Sequence, residues 1–236
     1  MCTVSFVVSN DQVIITSNRD ESVIRPCAIE PKLYSINGKN VVFPKDPKAG
    51  GTWFAITESG TALVLLNGAA EKHQIKKKYR KSRGLILLDV ISSEVPIEEW
   101  NSIDLKNIEP FTLVLFLNFE LYQLRWNEVE KEMIQLDATT HHIWSSSTLY
   151  SNEIRSKRAQ WFSEFLNKKQ QVDGSELFHF HRYTEEKNQD FGLVINRDEA
   201  LKTLSITQTI ITKKEVVLSH VDLRSQKHFV NSYTTR

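Results

Sequence analysis

The chain has 236 residues, which allows one domain or two small ones, and a single domain of this size can bury a sizeable core. Its 30 basic and 29 acidic residues nearly cancel, which argues against a dedicated nucleic-acid-binding protein. No apolar run approaches the roughly 18 residues that span a bilayer. No basic residue precedes Arg19, so we expect neither a membrane span nor a secretory signal.

The chain has two cysteines, Cys2 and Cys27. Two cysteines do not make a disulfide framework. A bridge between them is conceivable, but it would consume a thiol that can serve as a nucleophile. We therefore expect two free thiols, a reducing compartment and a cytoplasmic protein.

The first twenty-one residues predict a β-hairpin. Residues 1–8 and 13–17 are rich in β-branched and aromatic types, and Asn10 and Asp11 between them favour a tight turn. With the turn placed there, Val8 faces Val13 and Cys2 faces Arg19. The alternation of a strand then puts Arg19 and Glu21 on one face and Asp20 on the other.

Cys2 carries the chemistry that this hairpin suggests. Directly opposed side chains have Cβ atoms about 4.5–5.5 Å apart, so the thiol would lie beside the Arg19 guanidinium, which favours the nucleophilic thiolate. If Met1 is removed, the α-amine of Cys2 has a reference pKa of about 7.7–8.0 and can act as the base for its own thiol. In the alternative interpretation, Cys2 is a small hydrophobic residue in an N-terminal strand.

The remaining elements predict an α+β protein. Asn37-Gly38 and Glu58-Ser59-Gly60 each join two apolar runs, as in hairpins. Residues 84–91 are apolar nearly all round, which is typical of a buried helix, and Pro96 begins a second helix. Further strands are expected at 111–117, 120–126, 132–136 and 141–147, helices at 152–167 and 175–180, and a C-terminal hairpin from 203–212 and 215–221. No linker divides the chain, so 1–236 is read as a single domain.

Several short motifs resemble those of the NRDE family, also called the transport and Golgi organisation protein 2 family. In chain order they are Met1-Cys2-Thr3, Ser17-Asn18-Arg19-Asp20-Glu21, Arg25-Pro26, Gly50-Gly51-Thr52-Trp53, Leu66-Asn67-Gly68 and Ser82-Arg83-Gly84. The family is usually grouped with the N-terminal-nucleophile hydrolases, and the chain start is also similar to that of penicillin V acylases and bile-salt hydrolases. The resemblance implies a four-layer αββα sandwich, with two mostly antiparallel sheets between helices.

The resemblance further implies an amidohydrolase or acylase that acts on a small amide or acyl compound. Cys2 would be the nucleophile, and Arg19 would tune its thiolate. Asn67, at the end of an apolar strand, would bind the oxyanion through its side-chain NH₂. Asp20 or Glu21 would hold the α-ammonium of Cys2, and the sequence does not choose between these two carboxylates.

Three more residues complete the predicted site. Gly51 lies near Asn67 by the register of their hairpin and has no side chain to block a ligand. Together with Trp53 and Glu21, it is expected to contact substrate. Ser146 stands where acylase relatives carry a second Asn near the oxyanion, and its hydroxyl can still donate one hydrogen bond.

Two other functions are consistent with the sequence. NRDE-family members have been linked to lipid homeostasis and intracellular haem movement, so a non-catalytic protein on the same fold would hold an apolar or haem-like ligand beside Cys2. The other possibility is a structural protein without a ligand, in which the first hairpin contributes only to packing. No cofactor is expected for the hydrolase, and the sequence says nothing of its oligomeric state.

His179 and His181 are the one pair with metal-ligand character. On a strand, their spacing would present two imidazoles on one face. No carboxylate or cysteine lies at supporting spacing, so we expect a flexible, partly exposed pair and no metal site.

Overall fold

The computed structural model describes residues 3–235, which form two seven-stranded sheets. The strands are β1 (Thr3–Ser9), β2 (Gln12–Ser22), β3 (Ile29–Ile36), β4 (Lys39–Lys45), β5 (Phe54–Thr57), β6 (Ala62–Asn67), β7 (Phe111–Leu117), β8 (Glu120–Trp126), β9 (Lys131–Leu136), β10 (His142–Ser145), β11 (Asn196–Arg197), β12 (Leu201–Ile211), β13 (Glu215–Asp222) and β14 (Lys227–Thr234). The helices are α1 (Arg83–Ser92), α2 (Pro96–Ser102), α3 (Asn152–Asn167) and α4 (Gly174–Tyr183).

The two sheets lie face to face, with helices on their outer sides. The first sheet has the order β10-β1-β2-β12-β13-β14, with β11 beside β12, and the second runs from β3 to β9 in chain order. Helix α1 packs on β4, β5 and β6, whereas α3 packs on β10 and α4 packs on β2 and β12. All of the strand pairs are antiparallel. This arrangement confirms the predicted α+β four-layer sandwich.

The β1–β2 hairpin has the predicted register throughout its described part. Val8 pairs with Val13, and Thr3 pairs with Asn18. The turn residues Asn10 and Asp11 have φ values of 52° and 58°, the left-handed backbone of a two-residue hairpin turn. Cys2, the predicted partner of Arg19, lies outside the described residues, as does Met1.

Strand alternation decides which layer each side chain of β2 enters. Val13 and Ile15 belong to the large core that includes the space between the sheets, whereas Ile14 belongs to the smaller core under α3 and α4. Because the side-chain period of a strand is two, Arg19 falls on the inter-sheet side and Asp20 on the helix side.

The histidine pair corrects the sequence interpretation. His179 and His181 lie on α4, not on a strand, because Asp173 and Glu176 begin a helix there with a reciprocal capping box. Two residues apart on a helix, side chains point in different directions. His181 is consequently fully buried, whereas His179 is exposed beside Tyr183.

Strand β14 lies at the edge of the first sheet. It was not predicted, because its polar composition hides the strand pattern.

Within residues 3–235, no helix combines the length and the apolar character that a bilayer crossing requires.

Candidate active site

Most of the predicted site residues line a single cleft of about 110 Å³. We call it the Arg19 cleft. It is bounded by the end of β2, the loop before β5, the end of β6 and the start of α1. The predicted residues that it brings together are Arg19, Glu21, Gly51, Trp53 and Asn67.

Arg19 is held in the cleft by an aromatic ring and a carboxylate. The residue is only 3% exposed. Its guanidinium carbon lies 4.1 Å from the centroid of the Trp53 ring, a favourable cation–π distance. Its Nη2 lies 3.5 Å from Asp46 Oδ2. Burial lowers the pKa of Arg19, while the charges of Glu21 and Asp46 oppose this shift. An arginine in such a setting remains a cation.

Asp46 is a site residue that the sequence reasoning missed. Its carboxylate accepts hydrogen bonds from Arg25, at 2.9 Å from Nε and 2.6 Å from Nη2, and from the backbone N–H groups of Lys48 and Ala49. Burial raises the pKa of Asp46, but Arg25 and these N–H groups outweigh it and bring the pKa below its usual value. The positive charge of Arg19 therefore has a fixed carboxylate nearby.

Two N–H donors in the cleft have no partner within residues 3–235. The side-chain amide of Asn67 donates no hydrogen bond there, although its backbone carbonyl accepts one from Ser146 Oγ at 2.7 Å. The indole Nε1 of Trp53 is buried and also unpartnered. Of the two, the Trp53 N–H is buried, whereas the Asn67 side chain is only half-buried, so its amide is accessible to a bound acceptor such as a carbonyl oxygen.

Gly51 matters for packing as well as for the cleft. A Cβ at this position would approach the backbone nitrogen of Leu85 to 2.7 Å, in the first turn of α1. The Thr52 N–H in turn donates to the Gly84 carbonyl at 3.3 Å. The missing side chain therefore makes room for the helix backbone that closes the cleft.

Asp20 and Glu21 occupy different environments. Glu21 lines the Arg19 cleft. Asp20 is buried on the helix side, where Oδ2 accepts from the Tyr150 hydroxyl at 2.6 Å and Oδ1 from the Thr203 hydroxyl at 2.5 Å. The structure thus separates the two carboxylates in the way that strand alternation predicts.

A buried guanidinium ties the start of β1 to the helix layer. Arg158 of α3 donates to Thr3 Oγ1 and to the carbonyls of Phe191 and Gly192, and it lies 3.6 Å from the centroid of the Tyr150 ring. The sequence reasoning did not select Arg158. Its position, four residues after Ile154 on the buried face of α3, is the signal that could have identified it.

His181 adds a second buried polar link beneath the same strands. Asn18 Nδ2 donates to the carbonyls of His181 and Leu193, at 3.0 and 2.6 Å, so its Oδ1 faces His181 Nδ1. Nδ1 then carries the proton, and the Ser5 hydroxyl donates to Nε2 at 2.7 Å. Burial, with a smaller effect from Arg158, lowers the pKa of His181 to about 3. Within residues 3–235, no group of three or more histidine, cysteine or acidic side chains is placed to hold a metal ion.

Ser146 lines a second cavity, which we call the Arg125–Arg155 pocket. This pocket encloses about 370 Å³ between β10, α3 and the second sheet. It adjoins the Arg19 cleft, because Ser146 donates to the Asn67 carbonyl and Gly68 lines the pocket. The Ser146 hydroxyl also lies 2.9 Å from Thr148 Oγ1.

Comparisons with known proteins agree with this architecture. A sequence model of the family described as Transport and Golgi organisation 2 matches residues 1–189. The fold is similar to that of an N-acylethanolamine-hydrolyzing acid amidase ortholog from Caenorhabditis elegans, with a TM-score of 0.63, 11% identity and coverage of 88% of this chain and 92% of that chain. It is also similar to a mutant of the conjugated bile acid hydrolase from Clostridium perfringens, with a TM-score of 0.57, 11% identity and coverage of 99% and 96%. No curated protein sequence matches the chain.

Proposed function

The chain belongs to the Transport and Golgi organisation 2 family, and on that premise we propose that it is an amidohydrolase whose nucleophile is Cys2 after removal of Met1. The observation that carries the proposal is the Arg19 cleft. It combines the buried Arg19 cation with the Asn67 side-chain amide, which donates no hydrogen bond within residues 3–235. The fold of the chain resembles that of an acid amidase and that of a bile acid hydrolase. This similarity supports a hydrolase at the level of the fold.

The first half of the proposed reaction forms a thioester. The α-amine of Cys2 takes the thiol proton, and the thiolate sulfur attacks the carbonyl carbon of the substrate. The carbonyl oxygen becomes an oxyanion, which accepts a hydrogen bond from the Asn67 side-chain amide. The C–N bond then breaks, and the proton held by the α-ammonium passes to the leaving amine.

The second half restores the enzyme. The α-amine takes a proton from water, and the resulting hydroxide attacks the thioester carbon. The C–S bond breaks, the acid is released and the proton returns to the sulfur of Cys2. Arg19 would favour the thiolate in both halves, and Asp20 and Glu21 are the two candidates for holding the α-ammonium. Gly51 and Trp53 would contact the substrate, and Ser146 would hold the Asn67 backbone in place.

The substrate class we propose is a small amide or acyl compound, encountered in the cytoplasm. An N-acylethanolamine and a conjugated bile acid are suitable first probes, because the proteins of similar fold are described as hydrolysing these compounds. We expect natively produced protein to lack Met1 and to form an acyl adduct on Cys2. Intact-mass and peptide-mass analysis measures both.

Matched variants test the roles. Cys2→Ala should abolish the adduct and the release of amine, whereas Cys27→Ala, at an exposed thiol, should preserve both. Asn67→Ala should slow acylation about 10²–10³-fold, the usual effect of removing one oxyanion donor. Retention of Met1 on the native protein, or hydrolysis that survives Cys2→Ala, would exclude the proposed mechanism.

The rival function is binding or trafficking of a lipid or haem without catalysis. We rank this function second, because the proteins of similar fold are described as hydrolases. A titration with haemin separates the two. A specific Soret shift that Cys2→Ala abolishes would favour binding over hydrolysis.

A further inference from the structure

The Arg125–Arg155 pocket has an unusual balance of charge. Among the residues of 3–235 that line it, Arg125 and Arg155 are the only charged ones, and none is acidic. The rest of the described lining consists of small hydroxyl side chains, the Asn152 amide, Gly68 and apolar side chains. The apolar part consists of Leu66, Ala69, Ile143, Trp144 and Ala159.

Arg125 is presented by the second sheet. Arg125 lies on β8 and pairs with Thr112 of β7, which in turn pairs with Leu66 of β6. The three residues form one row across the sheet and line the pocket. Its Nη1 donates to Glu132 Oε2 at 3.2 Å. Its Nε is buried without a hydrogen-bond partner, and its Nη2 makes no hydrogen bond to any residue in 3–235. Of these two nitrogens, Nη2 is the one that is not buried, and it is therefore available to a bound acceptor.

Arg155 reaches the pocket from α3. Its Nη1 donates to the Ala70 carbonyl at 2.9 Å, and its Nη2 donates to Asn152 Oδ1. Its Nε, like that of Arg125, is buried and unpartnered. A buried donor without an acceptor is uncommon in proteins, and here two of them belong to the two cations of one cavity.

The charges around the pocket favour a monoanion. Arg125 is paired with Glu132 at 3.2 Å, and Arg155 lies 3.9 Å from Glu71. These four side chains sum to zero formal charge, so a bound monoanion leaves one negative charge in excess, whereas a dianion leaves two. The planar guanidinium fork matches a carboxylate in shape.

The size and walls of the pocket favour an organic acid over a bare ion. Its volume of about 370 Å³ falls within the range of roughly 300–1,000 Å³ for small-molecule sites. Its apolar wall, which includes Ile143 and Trp144, would bury a short hydrocarbon.

We propose that the Arg125–Arg155 pocket binds the carboxylate of a small amphipathic acid. The carboxylate lies against Nη2 of Arg125 and near Arg155, and the hydrocarbon lies along Leu66, Ile143 and Trp144. The pocket adjoins Asn67 through Ser146, so this acid would be the remote end of the substrate's acyl group. That last step rests on the proposed function, whereas binding of the acid does not.

The test uses sodium hexanoate as the probe and full-length Cys2→Ala protein, so that turnover plays no part. Isothermal titration with hexanoate is compared with hexanol, which has the same chain without the charge, and with inorganic phosphate. We expect hexanoate to bind with a stoichiometry of one and to quench Trp144 fluorescence, a signal that Trp144→Phe removes. Hexanol and phosphate should each bind at least about tenfold more weakly, because neither combines the chain with a planar carboxylate.

Four further variants locate the site. Arg125→Gln and Arg155→Gln should each weaken hexanoate binding about tenfold, as expected for loss of a charge-assisted hydrogen bond. Arg182→Gln on α4, outside the pocket, is the matched control and should bind as before. Ala159→Phe should fill the pocket while both arginines are retained, which keeps the test decisive if an arginine variant does not fold.

Three outcomes would overturn the proposal: phosphate binding as tightly as hexanoate, hexanol binding as tightly as hexanoate, or hexanoate binding that ignores the pocket variants. Failure of the proposed function is distinguishable. Hexanoate binding without any Cys2-dependent hydrolysis would support the pocket and reject the enzyme. Cys2-dependent hydrolysis by the native protein without hexanoate binding would support the enzyme and reject the acid-binding pocket.

Discussion

The hydroxyl of Ser146 donates a 2.7 Å hydrogen bond to the backbone carbonyl of Asn67. The two residues are far apart in the chain, one at the end of β6 in the second sheet and the other just after β10 in the first. Their bond joins the two sheets at the boundary between the Arg19 cleft and the Arg125–Arg155 pocket. It holds the backbone of the residue whose side chain is proposed to bind the oxyanion.

We expect Ser146→Ala to lower the free energy of unfolding by about 1–2 kcal/mol, because the Asn67 carbonyl loses its donor. Urea unfolding measures the change. Ser145→Ala is the matched control, since the Ser145 hydroxyl makes no hydrogen bond within residues 3–235. It should change the free energy by less than about 0.5 kcal/mol. Equal effects of the two variants would contradict a role for the bond.

Arg19→Gln tests the predicted effect of the buried cation on the nucleophile. Removing the charge should raise the pKa of the Cys2 thiol by about one unit, because the thiolate loses its electrostatic support. The pH dependence of iodoacetamide labelling, resolved by peptide mass, reports this pKa. Cys27 in the same molecule is an internal reference and should be unaffected.

A control and a contrary result complete that experiment. Arg182→Gln removes a cation remote from the Arg19 cleft and should leave the labelling profile of Cys2 unchanged. If Arg19→Gln also leaves it unchanged, Arg19 does not tune the thiol.

Arg158→Met tests the buried link between β1 and the helix layer. The carbonyls of Phe191 and Gly192 would lose their donor, which should reduce the free energy of unfolding by roughly 2–4 kcal/mol. Lys157→Gln, one residue earlier on the exposed side of α3, removes only an ion pair with Glu153 and should cost less than about 0.5 kcal/mol. Chemical denaturation of both variants under the same conditions measures the two changes. A similar decrease in the free energy of unfolding for both would contradict a stabilising role for the hydrogen bonds of Arg158.

Stability should fall in acid because two histidines are buried in the neutral form. Burial lowers the pKa of His181 to about 3 and that of His220 to about 4, from an ordinary value of 6.5. Below that ordinary value the unfolded chain binds protons that the folded chain does not, so lowering the pH favours unfolding. The loss is at most about 1.4 kcal/mol per pH unit for each histidine and continues until the folded-state pKa is reached.

Urea unfolding from about pH 7 to about pH 4.5 measures this slope. His220→Gln should flatten it, because one of the two histidines with the most strongly lowered pKa is gone. His179→Gln, at an exposed histidine, should leave it unchanged. A slope that His220→Gln does not alter would count against burial of His220 as its cause.

Local sequence determined much of the fold and part of the site. The Asn10-Asp11 and Asn37-Gly38 turns set hairpin positions because few residues adopt their left-handed backbone. The two-residue period of β2 separated Arg19 from Asp20, since alternate side chains must leave a strand on opposite faces. These features depend on neighbours in the chain, which a single sequence displays.

Tertiary structure alone decided which distant groups meet. Asp46 beside Arg19, Ser146 on the Asn67 carbonyl, and the two arginines of one pocket all depend on how the sheets stack and where α3 lies. Helical geometry likewise overrode the strand interpretation of His179 and His181, because the capping box of α4 supplies hydrogen bonds that an isolated strand would lack. Such contacts join residues with no fixed spacing in the chain, so only the packed molecule specifies them.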